Sequence, residues 1–221
     1  MWPAARIEGS AWRVAAVSEQ SDTGRLEAFS DGVFAVAITL LVLDIKVPPL
    51  HGTEAAPALW RALAREWPSY MAFVLSFLTV LVMWINHHRI FGIIKRSDDR
   101  LLVLNGLLLM CVSVIPFSTS LLSAYILTRD GRTAAAVYGG VSFLMALAFN
   151  AVWRHAQRAG RLLGESHDPL VAQGITNSYR FGPAIYLAVF VLAFVNALLS
   201  VGVALLLAVF FALPPHRHAR G

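Results

Sequence analysis

Residues 181–215 run for 35 positions without one Asp, Glu, Lys or Arg. As a single helix that run would be about 52 Å long, too long for one crossing of ~30 Å of hydrocarbon. Two short helices with a tight turn near Asn196 to Ser200 fit it better. Three more runs have crossing length: 67–86, 101–122 and 133–153, with Pro116 expected to kink or end the third span of the chain. An earlier candidate, Leu26 to Val47, carries Glu27, Ser30, Asp31 and Asp44. A helix with such polar ends is expected to be shielded by protein.

Composition agrees. Hydrophobic residues make up 57% of the chain and charged residues 14%, against roughly a quarter charged in a soluble domain. A disordered chain, a disulfide scaffold and a water-soluble enzyme are excluded. So is a closed barrel, because its strands alternate apolar and polar residues and these runs do not. The expected fold is all-α: a polytopic membrane protein with six transmembrane helices per subunit. Three regions follow: a cytosolic N-terminal segment (1–25), a six-helix domain (26–213) and a cytosolic tail (214–221). With both termini in the cytosol, thirteen of the 18 Lys and Arg fall on the inner side, as the positive-inside bias requires. The formal charge of +5 therefore reflects orientation in the cell membrane, and no nucleic-acid partner is expected. In the first outer loop, Trp60, Leu63 and Trp67 share a helical face, which suggests a short interfacial helix.

The first span carries the most information. At 100° per residue, Phe29, Gly32, Val36, Thr39, Leu40, Leu43 and Val47 share one face. Asp31 lies nearly opposite. A buried carboxylate needs a partner, and two sources are near in sequence or topology. One is Arg25. The other is the end of the second span, Trp84-Ile-Asn-His-His-Arg89, which alternating topology brings to the same membrane face. Asn105, one turn into the third span, lies at that level. A polar clasp of Ser30, Asp31, Trp84, His87 or His88, and Asn105 is expected to hold the first helix against spans two and three.

The segment Arg25 to Ile45 resembles the first helix of the transmembrane protein 175 family of potassium channels, whose R-x-x-x-F-S-D signature falls here on Arg25, Phe29, Ser30 and Asp31. The W-I-N-H-H segment and the I-P-F-S-T run at Ile115 to Thr119 are similar to the family's next two spans. The resemblance implies a homotetramer in the lipid bilayer that passes potassium ions, with the pore lined by the first helix of each of four subunits. Carried over by position, Val36, Leu40 and Leu43 form rings of the pore constriction, and Thr39 matches a threonine implicated in potassium preference. The innermost ring is usually Ile or Leu, so Val36 implies a wider or more easily wetted opening.

No carbonyl filter of the T-V-G-Y-G type occurs, and Val137-Tyr-Gly-Gly140 reads as helix packing. A ring of Val and Leu offers an ion no ligand, so conduction requires water in the constriction and gating is expected by wetting. Asp44 is expected at the outer mouth, as a collector of cations or as a partner of Lys46. No cofactor is expected, no metal beyond permeating potassium, and no enzymatic activity: H-E-x-x-H is absent and no nucleophile–base set stands out. The rival reading is a proton-coupled secondary transporter using Asp31 and a second-helix histidine. It requires Asp31 to face a central cavity.

Overall fold

The structure is a computed structural model. It describes residues 8–48, 56–160, 162–164 and 169–212, with the backbone alone at 8–22, 56–58 and 178. The expected tail, 214–221, lies outside these residues. Among the described residues all the long elements are helices: α1 (Glu8–Leu40), α2 (Ala56–Arg65), α3 (Trp67–Phe91), α4 (Asp99–Tyr125), α5 (Gly131–Ala159), α6 (Pro169–Tyr179), α7 (Gly182–Val195) and α8 (Ala197–Ala212).

Among the described residues, five helical segments are long and apolar enough to cross a membrane: Thr23–Asp44, Trp67–Phe91, Asp99–Tyr125, Gly131–Ala159 and Pro169–Val195. The last α-helix, α8, is apolar but has 16 residues, or about 24 Å. It folds back on α7. Asn196 ends α7, donating its N–H to Leu192 O, and caps α8 by accepting the Leu199 N–H at Oδ1. Ser200 Oγ then donates to Val189 O at 2.8 Å. A straight continuation would separate residues 189 and 200 by about 16 Å, so the two helices form a hairpin with a one-residue turn.

The candidate span Leu26 to Val47 falls on Thr23–Asp44, the membrane-length part of a longer helix: α1 starts at Glu8 and runs 33 residues to Leu40. It then tightens into a 3₁₀ turn, Leu41–Asp44. Pro116 lies inside α4, which continues through it to Tyr125. One missing N–H is tolerated where the surrounding helices hold the chain in place.

α5 is the central helix and packs on α4, α7 and α8, whereas α1 packs mainly on α3 and α4 at the margin of the bundle. The approach of α5 to α7 requires a glycine: a Cβ on Gly139 would lie 3.0 Å from Phe190 Cα, and one on Gly140 would lie 3.3 Å from the Phe190 ring. The Val137-Tyr-Gly-Gly140 segment is thus a packing contact. Gly139→Ala is expected to push the two helices apart and cost about 1–3 kcal/mol, read as a lower unfolding temperature in detergent. A buried hydroxyl chain crosses the same region, with Thr119 Oγ1 donating to Ser76 Oγ at 2.6 Å and Tyr138 OH donating to Thr79 Oγ1 at 3.3 Å.

At the end of the bundle that carries His87, the loops are tied together. Lys95 N–H donates to Leu162 O and Gly164 N–H to Ile93 O, around an antiparallel bridge between Ile94 and Leu163. Thr23 Oγ1 of α1 donates to Lys95 O. At the other end, α2 leaves Trp60 exposed and leads directly into α3 at Trp67, a placement suited to the interfacial role expected for it.

Candidate functional site: the two faces of the first helix

The back of α1 is fastened by a directed hydrogen-bond chain. His87 Nε2 lies 3.0 Å from Asn105 Oδ1, Asn105 Nδ2 donates to Ser30 Oγ at 2.9 Å, and Ser30 Oγ donates to Leu26 O at 2.8 Å. Because the Asn105 amide gives its N–H to Ser30, its oxygen must accept, so Nε2 of His87 carries the hydrogen. Nδ1 is then a bare lone pair, and it is buried without a hydrogen-bond partner. The His87 ring stacks on Phe91 at 4.3 Å and meets Phe34 at 5.3 Å. Ser30, His87 and Asn105 are all fully buried, so this polar link between α1, α3 and α4 is closed off from water.

Beside it, Trp84 Nε1 donates to Asp31 Oδ1 at 2.9 Å. His88, one residue after His87, points 100° away and pairs with Glu27 at 2.9 Å near the surface. These contacts bring Ser30, Asp31, Trp84, His87 and Asn105 together. Two of the expected partners do not join. Arg25 makes no ion pair with Asp31 among the described residues; six residues apart on a helix they point about 120° from each other. Asn86 faces away, accepting the Tyr179 hydroxyl at 2.8 Å. The Glu27–His88 pair and the Tyr179 contact were not read from the sequence. The first had a signal, since Glu27 sits one turn before Asp31. The second spans 93 positions and had none.

Among the described residues, nothing covers the opposite face of α1. Phe29, Val36, Leu40 and Leu43 are exposed, Val36 by 58% and Leu43 by 73%, while Phe34, Ala37 and Leu41 on the clasped side are at most 2% exposed. A groove of about 450 Å³ follows this face, lined by Phe29, Gly32, Val36 and Leu40 with Ser113 of α4. Thr39 stands on its flank. Its hydroxyl lies 3.0 Å from Ala35 O and 2.9 Å from Val36 O, donating back to its own helix. With the hydrogen turned inward, the oxygen presents lone pairs outward, the arrangement a cation requires.

The 3₁₀ turn changes where the last residues of this helix point. Three residues per turn means about 120° per residue. Leu43 is rotated to stand almost directly over Leu40, at roughly 40° on the wheel centred at Val36, while Asp44 swings to roughly 160°, the side of buried Leu41. There Asp44 accepts a hydrogen bond from the Ser120 side chain of α4, and its Oδ2 is buried with no partner. The carboxylate therefore turns toward α4, away from the exposed face; it is not among the ion pairs of the described residues, and the charge of Lys46 is close enough to act on it. Val47 lies beyond the helix and does not extend the stripe. Among the described residues no group of three or more His, Cys, Asp or Glu is placed to hold a metal ion.

A family model described as endosomal/lysosomal potassium channel TMEM175 matches residues 25–116, the stretch containing the α1 stripe and every member of the clasp. A potassium channel of Chamaesiphon minutus is 52% identical over 195 residues, covering 88% of this chain and 96% of its own. A potassium channel of Streptomyces collinus is 45% identical over 86% of this chain and 92% of its own. Among solved structures, a lysosomal potassium-selective channel TMEM175 homolog from Chamaesiphon minutus superposes with a TM-score of 0.76 at 48% identity, covering 87% of this chain and 97% of that one.

Proposed function

The chain belongs to the TMEM175 family of potassium channels, a family of multi-pass helical membrane proteins and not of enzymes, and on that premise we propose that it is a potassium-permeable channel formed by four copies, with the exposed face of α1 lining the pore. The observation that carries this reading is the division of α1 into a clasped back and an uncovered apolar front. A helix fixed on two neighbours through buried polar bonds cannot rotate freely. Its uncovered front is therefore presented in one direction, as a subunit of a ring requires. Two relatives that match 88% and 86% of this chain are named potassium channels, which supports the choice of ion.

In this reading Val36, Leu40 and Leu43 form stacked apolar rings, and passage requires the space between them to be wet. The 3₁₀ rotation aligns Leu43 over Leu40, so the outer part of the constriction is a column of paired leucine rings, with Val36 the wider inner ring. All six apolar helical passages cross the membrane, the α7–α8 hairpin doing so as two short helices with a locally thinned bilayer. The termini are cytosolic, since that places most of the basic residues inside. A transporter coupled through Asp31 is disfavoured by the contact of that carboxylate with Trp84 on the back of α1.

Thr39 supplies the ring of oxygens. Thr39→Val keeps the shape and removes the lone pairs. It is expected to lower the potassium-to-sodium preference about fivefold, corresponding to ~1 kcal/mol for a lost polar contact, while leaving the channel conductive. Reversal potentials under bi-ionic conditions read this directly. The basic claim of channel activity is tested by reconstituting the purified protein in liposomes and measuring potassium flux, which is expected to be passive and to persist without a proton gradient. Flux that requires a proton gradient would favour the transporter.

A further inference from the structure

Away from α1, a cleft of about 850 Å³ opens between α4, α5 and α7 at the end of the bundle that carries the clasp. Four arginines from two helices and a linker converge on it: Arg100 from the start of α4, Arg154 and Arg158 from the last turns of α5, and Arg180 just before α7. Among the described residues none is in an ion pair and no carboxylate lines the cleft. The nearby Asp98 is engaged by His155 at 2.9 Å and by the Leu101 N–H. Arg180 also lies over the Phe181 ring, which fixes its direction.

The cleft changes character with depth. Leu104, Leu147 and Ala184 also line it, one to two turns farther along their helices than the arginines, which is roughly 6–10 Å deeper into the bundle. A soluble anion has no use for that apolar floor. A phospholipid does: guanidinium forks grip a phosphate at the interface, and an acyl chain follows the apolar wall. We propose that this cleft is a binding site for one anionic phospholipid per subunit, with the headgroup phosphate on the Arg100–Arg154–Arg158–Arg180 cluster and an acyl chain along Leu104 and Leu147. The site is independent of the pore reading, since α1 contributes nothing to it.

The test uses the whole channel in detergent, titrated with phosphatidylglycerol or phosphatidylcholine of matched chains and analysed by native mass spectrometry. Phosphatidylglycerol is expected to be retained in preference, one per subunit. Removing one arginine near a membrane surface costs about fivefold in affinity, so Arg154→Gln with Arg180→Gln is expected to weaken retention about twenty-five-fold. Lys95→Gln with Arg96→Gln, at the same end but outside the cleft, should leave it unchanged; an equal loss there would mean diffuse attraction and overturn the proposal. Leu147→Trp fills the apolar floor without touching the charge, and it is expected to expel the lipid even if the glutamine pair fails to fold. Retention unaffected by Leu147→Trp, or displacement of the lipid by water-soluble glycerol phosphate, would overturn it in favour of a soluble-anion site. Equal retention of both lipids would also overturn it.

Discussion

Leu40→Ala and Val36→Asn are each expected to raise potassium flux through reconstituted channels about tenfold, equivalent to lowering a barrier by ~1.4 kcal/mol. The argument rests on what the rings lack. Valine and leucine carry no atom that can replace water around an ion, so the barrier is the cost of keeping water in a narrow apolar passage. Leu40→Ala removes three carbons from each of four side chains and widens the column at the level where Leu43 is stacked over Leu40. Val36→Asn keeps the width and adds four amides that hold water. The two changes act on the same barrier by different means. The reverse substitution, Val36→Ile, narrows the inner ring with one more methylene per subunit and is expected to lower conductance. If neither Leu40→Ala nor Val36→Asn alters flux, the constriction lies elsewhere. If Val36→Ile leaves conductance unchanged or raises it, the inner ring is not limiting.

Breaking the clasp is expected to cost assembly while leaving ion preference alone. Asn105→Leu strands the His87 N–H and removes the donor to Ser30 in a fully buried place. Each stranded group costs about 1–3 kcal/mol, enough to lower the unfolding temperature by several degrees for a chain of this size. Asp31→Asn keeps an oxygen for Trp84 but loses the charge that strengthens the bond at 2.9 Å, so a smaller loss of the same kind is expected. Size-exclusion chromatography with thermal unfolding in detergent separates these cases. Should Asp31→Asn assemble normally and shift ion preference, Asp31 faces the permeation path and α1 is turned the other way.

The stripe of Val36 and Leu40 and the opposed position of Asp31 were legible because an α-helix has one period, and that period holds up to Leu40. The same period separates His87 from His88, which explains why adjacent histidines end in different surroundings, one buried with Asn105 and one at the surface with Glu27. The end of the helix was not legible. Leu41-Val-Leu-Asp44 contains no glycine or proline to mark the change to 3₁₀ winding, so extrapolating the α period past Leu40 gives Leu43 and Asp44 directions that differ from those of the tighter turn. Of the two sources of a partner for Asp31 that the sequence offered, Arg25 lies about 120° away on the same wheel, and the end of the second span supplies the contact through Trp84. The arginine cleft is a product of tertiary folding: residues 100, 154, 158 and 180 each read as ordinary charges at a span end, and only the packing of α4, α5 and α7 brings them together.

The central claim is that the front of α1 faces water in a shared pore and not lipid. Cys111 is the chain's single cysteine, so a Cys111→Ser background allows cysteines to be placed one at a time. In that background Val36→Cys is expected to be modified by a membrane-impermeant, water-soluble thiol reagent with loss of current, while Phe117→Cys, equally exposed on the surface of α4, is expected to be untouched. Modification of Phe117→Cys with current-carrying Val36→Cys left unmodified would contradict the account.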